Sequence, residues 1–240
     1  MPQVAAPEHA IALTASTTPV RAQLARRLRA LITEGTFKPG DRLIERELCE
    51  RLQVSRPSIR ETLRQLEAEG LIDIIPNRGP LVRMIDATEV LELWEVRLAM
   101  ECLIARRFAL HGSSGDADDL ERRIKALDIA LKAQDRARIK AAKNAFYESF
   151  ASGAHNEALA AYFRQLTVRL SFLWTSSLMI PGRPAESIGE QLAMLAAIRA
   201  RNPEAAHAAV VLHNEHAKAI AMHGLRMFEE SRRPAAAAHQ

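Results

Sequence analysis

One stretch, Val54-Ser55-Arg56-Pro57-Ser58-Ile59-Arg60-Glu61-Thr62-Leu63, leaves the chain little freedom. Ser55 is a natural helix N-cap, and Pro57 fits the first turn, where its missing N–H costs nothing. Ile59, Leu63 and Leu66 then recur at the spacing of one inward face. Arg56, Ser58 and Arg60 stay on the outward first turns. The helix ends at Gly70, and two short runs follow, Leu71–Ile75 and Pro80–Ile85, around Pro76-Asn77-Arg78-Gly79. That is a hairpin signal with a basic tip. A helix that offers Ser and Arg at its N-terminus is built to enter a DNA groove, and the basic hairpin loop to hold the phosphate backbone.

Upstream, Val20, Leu24, Leu28, Leu31 and Ile32 show helical spacing until Gly35 and Pro39-Gly40 stop it. Leu43-Ile44 follows a turn, and Glu45–Leu52 reads as a short helix with Leu48 and Leu52 inward. Three helices and a hairpin within residues 19–85 form a winged helix-turn-helix. After Asp86-Ala87-Thr88-Glu89, a capping-box-like start, strand signals cease. Long helices are expected at 87–111, 116–133, 135–152, 156–179, 185–201 and 203–229, broken at His111-Gly112-Ser113-Ser114-Gly115, Gln134-Asp135, Ser152-Gly153, Pro181-Gly182-Arg183-Pro184 and Asn202-Pro203. The expected fold is mainly α: an N-terminal winged helix-turn-helix followed by an all-α antiparallel helical bundle over residues 86–230. Residues 1–18 read as a disordered leader without the marks of a signal peptide, and residues 231–240 as a disordered tail.

Composition mainly excludes. The chain has 240 residues and a formal charge of +4, too mild to argue nucleic-acid binding without clustering. Cys49 and Cys102 sit in helical apolar patterns, which suits buried free thiols in a reducing cytoplasm better than a disulfide or a metal knuckle. No apolar run approaches the roughly 18–20 residues that span a bilayer. A soluble cytoplasmic protein without a membrane partner is expected.

The first block resembles the GntR family of bacterial transcription regulators. The resemblance rests on Leu31-Ile32-Thr33-Glu34-Gly35, Lys38-Pro39-Gly40-Asp41-Arg42-Leu43 with Glu45-Arg46-Glu47-Leu48, the stretch from Val54 to Leu63, and Leu66-Glu67-Ala68-Glu69-Gly70-Leu71-Ile72. It covers roughly residues 19–85. Residues 87–229, with Glu95-Val96-Arg97 and Glu101, look like the FCD effector-binding domain of the FadR-type branch, a less specific match. The resemblance implies DNA contacts from Arg46, Ser55, Arg56, Ser58 and Arg60, and a minor-groove wing tip at Asn77-Arg78-Gly79. Without the family, these arginines would read as a solvated face pairing with Glu61, Glu67 and nearby acids. Arg64, deeper along the helix, stays closer to that reading.

Many members of that branch hold a divalent metal with one carboxylate and three histidines. By resemblance those positions fall here on Lys143, Tyr147, Gln191 (after Glu190) and His213. Three of the four have changed, and an ammonium repels a dication. The expectation is a metal-free pocket, without cofactor, in which Arg97, Lys143, Tyr147, Gln191 and His213 bind a small acidic metabolite. The alternative is a pocket filled in, with Tyr147 and Gln191 as satisfied core residues and Lys143 reaching outward. His213, His216 and His223 share a broad face of the last helix, read as interface histidines. Phe172-Leu173-Trp174 with Leu178-Met179, and Trp94, Phe108 and Phe163, read as core or dimer contacts.

Together these readings describe a homodimeric, effector-responsive repressor on a pseudo-palindromic double-stranded operator. Its rivals are an enzyme with an appended DNA-binding head, for which no catalytic set is visible, and a DNA-binding protein without an effector.

Overall fold

The computed structural model describes residues 20–177 and 183–237, with side chains for 22–170 and 183–223. The chain divides into two compact units at Ile85/Asp86. The 1–18 leader and the side chains of the Phe172–Met179 segment lie outside the described residues.

In the first unit the elements run α1 (Val20–Thr33), α2 (Glu45–Leu52), α3 (Arg56–Ala68), β1 (Ile72–Ile75) and β2 (Gly79–Val82). Ser55 caps α3, its hydroxyl accepting from the Ser58 N–H, and Pro57 lies in the first turn. Leu24 and Leu28 from α1, Leu48 from α2, and Ile59, Leu63 and Leu66 from α3 meet in one core with Ile72 and Val82. Arg29 clamps the end of α3 to α1, donating from Nε and Nη2 to Glu69 at 2.8 and 2.6 Å. β1 and β2 pair antiparallel, Ile72 opposite Val82 and Ile75 opposite Gly79. The loop before α2 adds an edge that the sequence did not suggest. Leu43 N–H donates to Pro80 O and Val82 N–H donates to Asp41 O, both at 2.9 Å, so residues 41–43 run beside β2.

The second unit holds α4 (Ala87–His111), α5 (Ser114–Lys132), α6 (Arg136–Ser152), α7 (Glu157–Ser177), α8 (Arg183–Arg199) and α9 (Pro203–Ala237). α4 packs on α6, α7, α8 and α9, while α5 packs on α6 and α8. Asp86 caps α4 by accepting from the Glu89 N–H at 2.8 Å. Some helix ends differ from expectation, each for a local reason. α5 starts at Ser114 because Ser113 and Asp116 close a full capping box. α6 starts at Arg136 because Asp135 is its cap. α8 starts at Arg183, taking Pro184 into its first turn, where proline is tolerated. The backbone of α9 runs on to Ala237, over part of the tail expected to lack structure; Ala235–Ala237 are strong helix formers. Both cysteines are free thiols, Cys102 buried and Cys49 half-buried. No described helix is long and apolar enough to cross a membrane.

The Phe108 ring is wedged between two chain reversals. A Cβ at Gly112 would stand 2.3 Å from its Cδ2, and a Cβ at Gly153 would stand 2.2 Å from its Cε1. Neither glycine has a positive φ, so the requirement is space alone. Gly153→Ala should therefore lower unfolding stability by about 1–3 kcal/mol, the usual cost of overpacking. Urea denaturation measures it, and unchanged stability contradicts the wedge.

Candidate functional site

The first unit carries an open groove lined by Arg42, Leu43, Ile44, Glu45, Arg46, Arg56, Gly79 and Pro80. Arg46 projects from α2 and Arg56 from the first turn of α3, and both are exposed. The Ser55 and Ser58 hydroxyls share a hydrogen bond at 2.9 Å, so the cap itself occupies them. Arg60 donates from Nε to Glu45 at 2.9 Å, a pair between α3 and α2. The pair is exposed, Arg60 at 62% and Glu45 at 33%, so it holds Arg60 only weakly. Among the described residues no carboxylate pairs with Arg42, Arg46, Arg56 or Arg78. At the wing tip Asn77 has φ 64° and Gly79 has φ 80°, the left-handed region that these residue types tolerate best. The Arg78 N–H closes the turn on Ile75 O at 3.1 Å and its side chain is exposed.

Arg42 was not assigned a role from sequence. It is brought to the wing by the 41–43 edge, and its guanidinium lies 3.8 Å from where a Cβ on Gly79 would be. Its one sequence signal is its place between the Gly40-Asp41 turn and the buried Leu43. Exposed guanidiniums beside a helix N-terminus can grip phosphate or meet guanine edges in pairs of hydrogen bonds.

The second unit contains a small cavity of about 20 Å³, lined by Trp94, Arg97, Lys143, Tyr147, Arg183, Ser187, Gln191 and His213, with Leu127, Ala217 and Ile220. The structure thus brings together all five residues expected there from sequence: Arg97, Lys143, Tyr147, Gln191 and His213. Arg97 is buried on α4 and donates from Nε to Glu101 at 2.9 Å and from Nη2 to the Tyr147 hydroxyl at 2.7 Å. Its guanidinium also lies 4.8 Å from the Trp94 ring centroid. Asn214 on α9 donates to the other oxygen of Glu101.

Sequence reasoning missed the second half of this charge system. Arg183 donates from Nη1 and Nη2 to Glu190 at 2.6 and 2.8 Å. His213 and His216 each place Nδ1 2.6 Å from the same carboxylate. Burial alone would raise the Glu190 pKa, but hydrogen bonds with His213, Arg183 and His216 hold it well below the usual carboxylate range. Burial pushes the Tyr147 hydroxyl up to about 12. Burial, then the nearby Arg97 and Arg183 charges, pull Lys143 down from 10.5 to about 7, against the pull of Glu101.

These groups do not suit a resident dication. The position that the resemblance assigns to a metal's carboxylate is Lys143, whose ammonium repels a dication, and His213 is turned onto Glu190. Among the described residues no three His, Cys, Asp or Glu side chains are grouped to hold an ion. Nor is Gln191 a satisfied core residue, for its buried Oε1 has no hydrogen-bond partner among the described residues.

Known proteins agree with this two-part layout. Residues 16–82 match the family described as bacterial regulatory proteins, gntR family, and residues 92–216 match the FCD domain. The Bacillus subtilis (strain 168) uncharacterized HTH-type transcriptional regulator YdhC is 26% identical over 200 residues, covering 83% of this chain and 89% of that protein. The Escherichia coli K12 HTH-type transcriptional repressor RspR is 36% identical over 116 residues, 48% of this chain and 51% of its own length. Among solved structures, E. coli McbR/YncC shares the fold with a TM-score of 0.76 at 21% identity, covering 85% of this chain and 98% of that one. A GntR transcriptional regulator from Rhodococcus sp. RHA1 gives 0.73 at 25% identity over the same shares. The chain belongs to the GntR family of bacterial transcription regulators, a DNA-binding regulator with an FCD domain and not an enzyme.

Proposed function

We propose that this regulator is a cytoplasmic repressor that binds a pseudo-palindromic operator as a homodimer, one winged helix to each half-site, and that a small organic acid in the helical unit alters the arrangement of the two reading heads. The carrying observation is the groove in which Arg42, Arg46 and Arg56 stand beside the wing without a carboxylate partner among the described residues. Three guanidiniums collected there, with the groove's Glu45 paired to Arg60, leave a positive surface matched to a phosphate backbone. The repressor reading draws on the relative RspR, which is named a repressor.

Dimerisation is supported by α4. Val96, Leu103 and Leu110, each about half exposed, repeat every seven residues and form one apolar stripe along the helix. A stripe of this kind meets its own copy readily across a two-fold axis. The organic acid is supported by the basic lining of the cavity, where Arg97, Lys143 and Arg183 come together; Arg97 pairs with Glu101, and Arg183 with Glu186 and Glu190. A ligand that shifts the heads must bind one arrangement better than the other.

Operator selection from a random DNA pool tests the reading head. Arg56→Ala and Arg60→Ala should each relax base preference at one position of each half-site, by about 1–3 kcal/mol. Arg78→Ala should weaken all sequences alike and reduce the salt slope by about one. Unaltered binding by both Arg56→Ala and Arg60→Ala would refute the recognition-helix assignment. Leu103→Glu should turn the dimer into a monomer in analytical ultracentrifugation, and a persistent dimer places the interface elsewhere.

Lys143 yields a pH prediction. Its folded value near 7 lies below the ordinary 10.5, so the unfolded chain holds the extra proton between those values. Stability therefore rises with pH across that window, and the cost of burying the charge is full below it. Lys143→Met should raise unfolding stability in urea denaturation most at pH 6, by an amount of the order of a few kcal/mol. The gain should shrink as the pH approaches 10. A gain that does not vary with pH contradicts the buried lysine.

A further inference from the structure

Glu45 opens α2 and is the one acid among the residues lining the groove, where Arg42, Arg46 and Arg56 stand around it. A carboxylate there faces the phosphates of a bound duplex, and like charges brought together oppose binding. Its place in the first turn of α2 favours that helix. Glu47, however, lies in the same turn and gives the same benefit without lining the groove. Helix stability alone therefore does not account for an acid in this position.

What Glu45 touches is Arg60. The carboxylate accepts from Nε at 2.9 Å, joining α2 to α3. Among the described residues neither Nη group of Arg60 has an acceptor, so the outer end of the guanidinium stays open. Two parallel Nη donors match the O6 and N7 acceptors of one guanine. Left alone, so long a side chain swings readily onto a phosphate, a contact that carries no sequence information. Paired with Glu45 it has little net charge to draw it there, while hydrogen bonds to a neutral base edge remain open to it. In water so exposed a pair is weak. A duplex seated in the groove displaces that water, and the lower local dielectric strengthens the pair where it is used. Arg42, Arg46, Arg56 and Arg78 have no such acid among the described residues.

We propose, resting on the base-reading role given above to Arg60, that Glu45 is a positioning residue. It holds Arg60 for a guanine edge and away from the phosphates. It thereby raises sequence preference while lowering affinity for DNA of any sequence.

Competition binding of the full-length protein tests this with the operator selected from a random pool, its single-base-pair variants and a random duplex. Glu45→Ala should bind the random duplex about two- to fivefold more tightly, because a repelling charge is gone. The same variant should discriminate about three- to tenfold less at the base pair Arg60 reads. Glu45→Gln, whose amide oxygen still accepts from Nε, should show the same gain on random DNA and keep most of the discrimination. With Arg60→Ala already in place, Glu45→Ala should remove no further discrimination. A merely destabilised reading head binds every duplex less, the opposite sign for the random one. Unchanged discrimination in Glu45→Ala overturns the proposal. So does a missing gain on random DNA in both Glu45 variants, or a loss of discrimination that repeats in full on the Arg60→Ala background. If Arg60→Ala itself discriminates as the parent does, the base-reading role of Arg60 falls and the proposal with it.

Discussion

A guanidinium at the centre of a helical unit must be neutralised where it stands. Arg97 has 1% of its surface exposed, and Glu101, at 2%, is its counter-ion one turn along the same helix. Removing either partner of such a pair strands the other charge, at a cost of about 3–5 kcal/mol. The pair also recruits neighbours from other helices: Tyr147 from α6 accepts from Arg97, and Asn214 from α9 donates to Glu101. Three helices are thereby held in one register around a polar centre. The cavity lies against that centre because the same side chains form its wall.

The second ionic system has a different geometry. Glu190 on α8 accepts from Arg183 on its own helix and meets two histidines of α9. One carboxylate thus satisfies three partners and joins α8 to α9. Protein charges organise the cavity: Lys143 lines it beside Arg97 and Arg183, and His213 is turned toward Glu190. Lys143, with its lowered pKa, is the least comfortable member of that arrangement.

Features governed by neighbours in sequence were the most legible. The caps at Ser55 and Asp86, the proline in the first turn of α3 and the left-handed turn at Asn77 and Gly79 are local devices, and the structure contains all of them. Helix periodicity likewise placed Ile59, Leu63 and Leu66 inside. Arg183 was lost because Pro181-Gly182-Arg183-Pro184 reads as a break, whereas Pro184 sits where a helix tolerates it. Its burial depends on a carboxylate seven residues on, a pairing that no local pattern marks. Arg42 depended on a bridge to Leu81, which only the folded chain makes.

The Phe108 wedge ties the end of α4, where Phe108 and Gly112 stand one turn apart, to Gly153 in a distant turn. The ring fills the space two glycines vacate, so Phe108, Gly112 and Gly153 behave as a single mutational unit. A smaller residue at 108 leaves a hole that a methyl group at either glycine can partly refill. Substitutions at these three sites are thus non-additive, and the tolerance of each depends on the residues at the other two.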